Sequence, residues 1–254
     1  MKVSIIAPTR FLDSLVTDDY HLVLSYLVRE DHEYADFYRR ASARGDWTIL
    51  DNSAHEFGAG EKLEKLWEVA CEIRAREVVL PDRLFFGDDT VESSLEALTF
   101  FRKHLPNTHL MGVPQGRTFG EYDFCLRRLL GMGVDTIGIS KDYEVWPGGL
   151  LELVERVRKY EPQIDIHMLG WGRNSTQLFD LGSNHDLDIR GVDSAKPLVY
   201  ALAGIPLNPA GHAQPPYPRR LSNFFESTSL DLDLARYNIQ VFKSVAQGMT
   251  SNGM

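Results

Sequence analysis

The stretch from Ile189 to Pro197 places a carboxylate where a buried strand is predicted to end. A short β-branched run reaches Asp193 and then breaks into small residues and a proline, which is how a strand delivers an acid to the rim of a sheet. Asp193 is therefore the candidate reactive residue. The alternative is that Asp193 only caps a following helix over Leu198–Ala203, since Asp is a favoured capping residue.

Polar side chains also follow three earlier apolar runs, which end at Asp51, Asp82 and Gln115. Two carboxylates such as Asp193 and Asp51 can act as nucleophile and as general acid/base around a glycosidic carbon when their environments separate their pKa values. Asp82 and Gln115 suit recognition of a flat base that presents N–H donors beside a carbonyl. The alternative for each is a helix cap or a turn, and it is serious for Asp51 because Asn52 and Ser53 are also common caps.

The elements that must position these groups are short apolar runs alternating with amphipathic helix patterns. A (β/α)8 barrel of the TIM type is predicted, because such runs are typical of parallel strands buried on both faces and no glycine-rich phosphate turn indicates an open doubly wound sheet. In a barrel the strand ends meet on one face, so we expect the four groups to converge. The second run could instead open a helix. The eight runs are Val3–Ala7, His21–Leu27, Trp47–Leu50, Glu77–Leu80, His109–Val113, Thr136–Ile139, Ile164–Leu169 and Ile189–Val192.

Composition limits the class of protein. The chain has 254 residues, and we expect a single barrel domain over 1–246 with a C-terminal helix, then a disordered tail over 247–254. The two cysteines, Cys71 and Cys125, form no metal-ligand motif. The apolar run at the N-terminus is too short for a signal peptide. A cytoplasmic protein without a membrane span or a metal site is expected. The net charge of -9 argues against a strongly basic nucleic-acid-binding surface.

Four stretches resemble, in the right order, the strand-end motifs of the tRNA-guanine transglycosylase superfamily. They are Asp51-Asn52-Ser53-Ala54-His55-Glu56, Gly112-Val113-Pro114-Gln115-Gly116, His167-Met168-Leu169-Gly170-Trp171-Gly172 and Gly191-Val192-Asp193-Ser194. The short length and the Gly-Val-Asp-Ser-Ala-Lys-Pro form look most like the phage and bacterial branch that inserts 7-deazaguanine bases into DNA. The resemblance implies a pentosyltransferase that needs no cofactor, with DNA or tRNA and a 7-deazaguanine base as substrates.

The resemblance also implies roles for individual residues. Asp193 matches the aspartate that attacks C1′ and holds the sugar covalently, and Asp51 matches the general acid/base. Asp82 and Gln115 match the pair that reads the base. The other implied substrate contacts are the backbone at Gly138 and Ile139, the sandwiching side chains His55 and Leu169, and Gly170 beside them.

Two further residues near these motifs are candidate substrate contacts. Trp171 lies between two glycines at a strand end, so it could face the substrate or pack on the rim. Lys196 follows Asp193 closely; it could lower the pKa of that carboxylate, contact phosphate, or be an ordinary surface lysine.

The chain departs from the family in ways that leave alternatives open. The sequence cannot supply the three cysteines and the histidine of the tRNA enzymes' zinc site, so no zinc is expected. His55-Glu56 also replaces a more usual aromatic-Gln pair. A base in a duplex must be turned out of the stack, at about a few kcal/mol. A homodimer, a DNA-binding partner subunit or a single-stranded target is therefore considered. A nucleoside or nucleotide N-glycosidase and a non-catalytic nucleobase- or nucleic-acid-binding barrel remain the alternative functions.

Overall fold

The structure is a computed structural model that describes residues 1–170, 175–209, 214–216, 218 and 224–249. Eight strands lie within these ranges, one at each predicted apolar run. Most of their residues are buried, including all of the second and the eighth, which is the pattern of parallel strands covered on both faces. They are β1 Lys2–Ile5, β2 Tyr20–Leu24, β3 Trp47–Asp51, β4 Glu77–Val79, β5 His109–Gly112, β6 Thr136–Ser140, β7 Asp165–Leu169 and β8 Gly191–Ser194.

Helices separate the strands as the periodicity predicts. In the helix over Leu63–Ile73 the buried residues are Leu66, Val69, Ala70 and Ile73, which is the spacing of one helical face. None of the helices within the described ranges is both long and apolar enough to span a bilayer. The α-helices are α1 Leu12–Leu15, α2 Ser25–Glu30, α3 His32–Arg44, α4 Ala54–Phe57, α5 Leu63–Ile73, α6 Gly87–His104, α7 Phe119–Met132, α8 Gly149–Tyr160, α9 Ser175–Ser183, α10 Lys196–Leu202 and α11 Leu232–Ala246.

The strands form one sheet in the order β1-β8-β7-β6-β5-β4-β3-β2. The ladders between β1 and β8, β7 and β8, β3 and β4, β4 and β5, and β5 and β6 are parallel. Strands that alternate with helices in this order define a (β/α)8 barrel, so the predicted fold class is confirmed.

The chain divides into two compact units. The first comprises Met1–His21, Ser140–Glu155 and His167–Met254 and contains β1, β8 and the part of β7 from His167 onward. The second comprises Leu22–Ile139 and Arg156–Ile166 and contains β3, β4 and β5. Asp193 belongs to the first unit, whereas Asp51, Asp82 and Gln115 belong to the second.

The observed strands begin or end one or more residues away from the predicted runs, and the differences at β2 and β8 are the ones that affect the candidate residues. The second apolar run divides, because β2 ends at Leu24 and α2 begins at Ser25, whose hydroxyl bonds with Ser53 and Glu61. The last strand extends past the predicted end, so Asp193 lies inside β8. The strand continues because the Ile6 N–H donates to the Ser194 carbonyl at 3.0 Å.

Candidate functional site

Asp193 is held by two donors on one of its carboxylate oxygens. The side chain is buried at 4% exposure, and its Oδ1 lies 3.0 Å from His167 Nε2 and accepts from the Gly170 N–H at 3.1 Å. In the part of the chain that the structure describes, Oδ2 accepts no hydrogen bond. The capping alternative is wrong, because α10 has Ala195 at its N-cap and no side-chain cap. The carboxylate is thus oriented with one oxygen bound and the other available.

A chain of buried polar groups leads to this carboxylate from the other side of His167. The imidazole is fully buried in β7, and its Nδ1 lies 2.7 Å from the hydroxyl of Tyr20, the first residue of β2. The Arg190 Nε–H donates to the same hydroxyl at 3.2 Å. Buried polar side chains in folded proteins are normally hydrogen-bonded, and each side chain in this series has a hydrogen-bond partner.

Each hydrogen bond in this chain of polar side chains is donated toward Asp193. A carboxylate only accepts, so His167 Nε2–H donates to Asp193, and in a neutral ring Nδ1 then accepts from the Tyr20 hydroxyl. The Tyr20 oxygen in turn accepts from Arg190. This assignment of the ring tautomer leaves every member of the polar chain hydrogen-bonded.

Gly191 makes room for Tyr20 beside the chain. A Cβ at this position would lie 2.5 Å from Tyr20 Cε1 and 2.7 Å from its hydroxyl oxygen, which is closer than non-bonded atoms approach. Gly191 also pairs with His167 across the β7 and β8 ladder. A side chain at Gly191 must therefore displace the ring that bonds His167.

We expect Gly191→Ala to lower the free energy of unfolding by about 1–3 kcal/mol, because a rigid ring in a packed interior has to move. Urea denaturation measures the change. Gly131→Ala, in α7, is the matched control. Among the described residues, no atom outside the helix's own backbone lies within 4 Å of a Cβ built at Gly131. Equal stability of the Gly191→Ala and wild-type proteins would contradict the packing role.

Asp82 and Gln115 form a buried carboxylate–carboxamide pair in the second unit. Asp82 is 5% exposed; its Oδ2 accepts from Gln115 Nε2 at 2.6 Å and its Oδ1 from Asn52 Nδ2 at 2.7 Å. Gln115 Oε1 accepts from the Phe85 N–H at 3.0 Å, which fixes the amide orientation. Burial raises the pKa of Asp82 to about 6, against the opposing hydrogen bonds from Asn52 and Gln115. The structure therefore brings these two side chains together, and their predicted role toward a base stays a prediction.

Asp51 and Asn52 shape the turn that follows β3. Asp51 Oδ2 accepts from the Ser53 N–H at 2.8 Å, and Asn52 Oδ1 accepts from the Ala54 N–H at 2.8 Å. Ser53 has a left-handed backbone with a φ of 60°. The turn alternative is therefore correct as a description of local bonding at both residues, and it does not exclude chemistry at the half-buried Asp51.

The same turn is joined to the loop that carries Asp82. Gly60 N–H donates to the Asp82 carbonyl at 2.8 Å, and Asn52 Nδ2 also donates to the Leu80 carbonyl at 2.7 Å. A Cβ at Gly60 would lie 2.7 Å from Pro81 Cα, so the two loops approach closely. Asn52, which the sequence presents only as a capping residue, thus connects Asp51's loop to the carboxylate.

The remaining candidates lie as follows. Gly138 and Ile139 are buried in β6, His55 is exposed in α4, and Leu169 is half-buried at the end of β7. Trp171 lies outside the described residues. The contacts proposed for these residues stay predictions.

Lys196 corrects one of the alternatives. It is 6% exposed at the start of α10, so it is not an ordinary surface lysine. Its other two predicted roles, toward the carboxylate and toward phosphate, remain.

Sequence reasoning missed His167, Tyr20 and Arg190 as parts of the site. A histidine at the centre of an apolar run was a usable signal, because a fully buried imidazole needs partners for its ring nitrogens. Tyr20 and Arg190 gave no such signal, since Tyr20 lies 147 positions from its partner and only the fold brings them together.

Comparison with known proteins shows the fold and nothing finer. No protein-family model and no curated protein matches the sequence. The YdjI aldolase from Escherichia coli K12 has a TM-score of 0.52 at 12% identity, over 97% of this chain and 88% of that chain. Active domain 2 of the chitinase from Pyrococcus furiosus has a TM-score of 0.52 at 13% identity, over 96% and 95% of the two chains.

The carboxyl transferase domain of Rhizobium etli pyruvate carboxylase has a TM-score of 0.55 at 10% identity, over 98% of this chain and 47% of that chain. One (β/α)8 scaffold hosts many unrelated chemistries, so identities this low do not carry an activity from one protein to another.

Proposed function

We propose that this protein is an enzyme that exchanges guanine in DNA for a 7-deazaguanine derivative through a covalent aspartyl-glycosyl intermediate. The observation that carries the proposal is the carboxylate of Asp193, buried and oriented with Oδ1 on two N–H donors and Oδ2 available. The four strand-end motifs that resemble the tRNA-guanine transglycosylase superfamily give the reaction class. The other residues matched by the resemblance supply the remaining roles.

The proposed reaction has two displacements at one carbon. Asp193 Oδ2 attacks C1′ while the bond from C1′ to the base nitrogen breaks, and the departing guanine takes up a proton. The incoming base then gives up a proton, attacks C1′ and releases the carboxylate. We assign both proton transfers to Asp51, the second carboxylate of the motif set.

Recognition of the base is assigned to Asp82 and Gln115. An ionised carboxylate offers about four lone-pair sites, of which Asn52 and Gln115 use two. The remaining sites suit the N–H donors on the edge of a guanine-like base. Because Asp82 is almost fully buried, an N–H bond to it forms away from water and discriminates strongly against bases that lack the donor.

The experiment that tests the proposal counts labelled guanine released from a polymer. Duplex DNA and tRNA, each carrying labelled guanine, are incubated with the protein with and without a 7-deazaguanine base. We expect release from DNA that requires the added base. Release without the base would instead indicate an N-glycosidase, in which water accepts the sugar. The absence of release from either polymer, in the presence of the base, would overturn the proposal in favour of a binding module.

The base-reading role predicts a pH dependence of base binding. With a pKa of about 6, Asp82 is ionised at pH 7.5 and protonated at pH 5, whereas an ordinary aspartate with a pKa of 3.8 stays ionised at both. Protonation turns one acceptor into a donor that faces the base's own donors. We expect the Kd of a 7-deazaguanine base to rise about tenfold between pH 7.5 and pH 5, measured by calorimetry on the Asp193→Asn protein so that no reaction intervenes. A Kd that stays constant over this range would count against Asp82 as the reader.

A further inference from the structure

Four polar side chains of the second unit form a hydrogen-bond network beside the turn that follows β3. Ser25 begins α2 and Ser53 precedes α4; both are fully buried, and their hydroxyl oxygens lie 2.8 Å apart. The Ser25 hydroxyl also bonds with Oε2 of Glu61, whose side chain is 7% exposed. Arg29 completes the network, because its Nη1 donates to Glu61 Oε2 at 2.9 Å and its Nη2 donates to Oε1.

The chemistry of these groups fixes the direction of each hydrogen bond. Burial raises the pKa of Glu61, but hydrogen bonds from Arg29 and Ser25 oppose this effect and hold the pKa below its ordinary value. An ionised carboxylate only accepts, so Ser25 donates its one hydroxyl proton to Glu61. The Ser53 hydroxyl must then donate to the Ser25 oxygen. An ion pair two side chains away therefore orients the Ser53 side chain.

Ser53 needs this support because its backbone conformation is unfavourable. Its φ of 60° lies in the left-handed region, where a Cβ crowds the following carbonyl oxygen. Residues in such conformations persist where the surrounding structure holds them. The backbone on either side is also bonded, since the Ser53 carbonyl accepts from the Glu56 N–H at 3.2 Å and the Asn52 carbonyl accepts from the Glu61 N–H at 2.9 Å. Side-chain and backbone bonds thus hold the same turn.

The left-handed turn directs the Ser53 N–H toward Asp51, whose Oδ2 accepts it at 2.8 Å. We propose that Ser25, Arg29 and Glu61 are positioning residues, which hold the Asp51 carboxylate in place through Ser53. The inference rests on the proposed function in taking Asp51 as the group that transfers protons to and from the bases. The three residues act through Ser53 and not on the substrate.

The proposed proton transfers depend strongly on where the Asp51 carboxylate lies. A general acid must come within hydrogen-bond reach of the atom that it protonates, and a misplacement of about 1 Å can lower the rate by about 10²-fold. Asp51 is half-buried, so its side chain has more than one rotamer to adopt, and the Ser53 N–H favours one of them. Loss of the network should therefore slow the step that needs the proton and leave DNA binding unchanged.

Ser25→Ala tests the network with a small change, since it removes one buried hydroxyl and leaves the Arg29–Glu61 pair in place. We expect formation of the covalent adduct on a guanine target, measured by rapid quench in a single turnover, to slow about 10- to 100-fold. Ser42→Ala is the matched control in the same unit. Its hydroxyl lies 3.2 Å from that of Thr48 near the start of β3, and its loss should leave the wild-type rate.

A target that carries 7-methylguanine separates proton transfer from folding. The methylated base is positively charged, so it takes the electron pair of its bond to C1′ and leaves as a neutral molecule without a proton. Its substituent is at position 7, where 7-deazaguanine derivatives also differ from guanine. We expect the Ser25→Ala protein to form the adduct with this DNA at a rate close to that of the wild type. Equal slowing on both targets, or no slowing on either, would overturn the proposal.

A second substitution tests the backbone part of the inference. Glycine adopts a positive φ about as readily as a negative one, so it does not need the network to keep this turn. The Ser25→Ala/Ser53→Gly protein should therefore recover most of the rate that Ser25→Ala loses on the guanine target. Ser25→Ala/Ser53→Ala has the same hydroxyls removed and should not recover. Equal rates in the two double variants would contradict the role of the left-handed turn.

Hydrogen exchange at the Ser53 amide gives a readout that needs no turnover. We expect Ser25→Ala to raise the exchange rate of this N–H about tenfold, while the amides in the middle of β3 keep their wild-type protection. If this pattern holds and the wild-type protein forms no adduct on either DNA, the proposed function fails and the network still positions Asp51. Unchanged exchange at Ser53 would overturn the positioning role whatever the activity.

Discussion

Replacing Asp193 by asparagine is expected to lower kcat for base exchange by about 10⁴-fold or more, because the displaced base then has no covalent acceptor for its sugar. Asparagine keeps the shape of the side chain. Its Oδ1 can still accept from His167 Nε2–H and from the Gly170 N–H, and only the available oxygen becomes an amide nitrogen. The loss therefore reports the nucleophile and not the fold.

The control for this prediction is another aspartate in the same unit. Asp19 is exposed and pairs with Lys2 at 3.5 Å, so Asp19→Asn changes the same charge without touching the buried chain. We expect wild-type turnover from it. Wild-type protein quenched during turnover carries a DNA adduct on the peptide that contains Asp193, detected by mass spectrometry. An Asp193→Asn protein that still exchanges base at a comparable rate would falsify the mechanism.

The fold could be predicted because its signals are local. Each buried strand is an apolar run in the sequence, and the buried residues of α5 repeat at helical spacing; they are Leu66, Val69, Ala70 and Ile73. Both patterns can be recognised without knowing which distant residues are in contact. The junction at Leu24 and Ser25 could not be placed because the residues on both sides are apolar. There the boundary is decided by bonds from Ser25 to Ser53 and Glu61, which are distant in sequence.

The candidate site was predictable in part for the same reason. Asp193, Asp82 and Gln115 follow apolar runs, and that position alone marks them as residues at strand ends. The identity of their partners depends on the fold. Nothing local indicates that Asn52 bonds with Asp82 or that Tyr20 bonds with His167, since these pairs are separated by 30 and 147 positions.

A second large effect is expected at His167. His167→Leu removes the side-chain donor to Asp193 Oδ1 and leaves only the Gly170 N–H. Hydrogen bonds to charged groups in a buried site are strong, so we expect kcat to fall about 10²-fold. The KM for the incoming base should stay near the wild-type value, because the hydrogen bonds of His167 go to Asp193 and Tyr20.

Conservative variants separate this donor role from packing. Glutamine can place an amide N–H near the position of Nε2, so His167→Gln should retain activity within about tenfold of the wild type. Tyr20→Phe keeps the ring that packs against Gly191 and removes only the hydroxyl that bonds Nδ1. It should cause a smaller loss than His167→Leu.

The two chemical steps respond to His167 in opposite ways, and this gives the sharpest test. The N–H donors stabilise Asp193 more as a charged carboxylate than as a neutral ester. Removing one donor therefore does not slow attack on C1′, but it slows the second step, in which negative charge returns to the carboxylate. We expect the His167→Leu protein to accumulate the covalent DNA adduct during turnover, to a higher fraction than wild type in rapid-quench experiments. If both steps slow equally and no adduct accumulates, His167 only supports the structure, and the orientation of Asp193 must come from the Gly170 N–H alone.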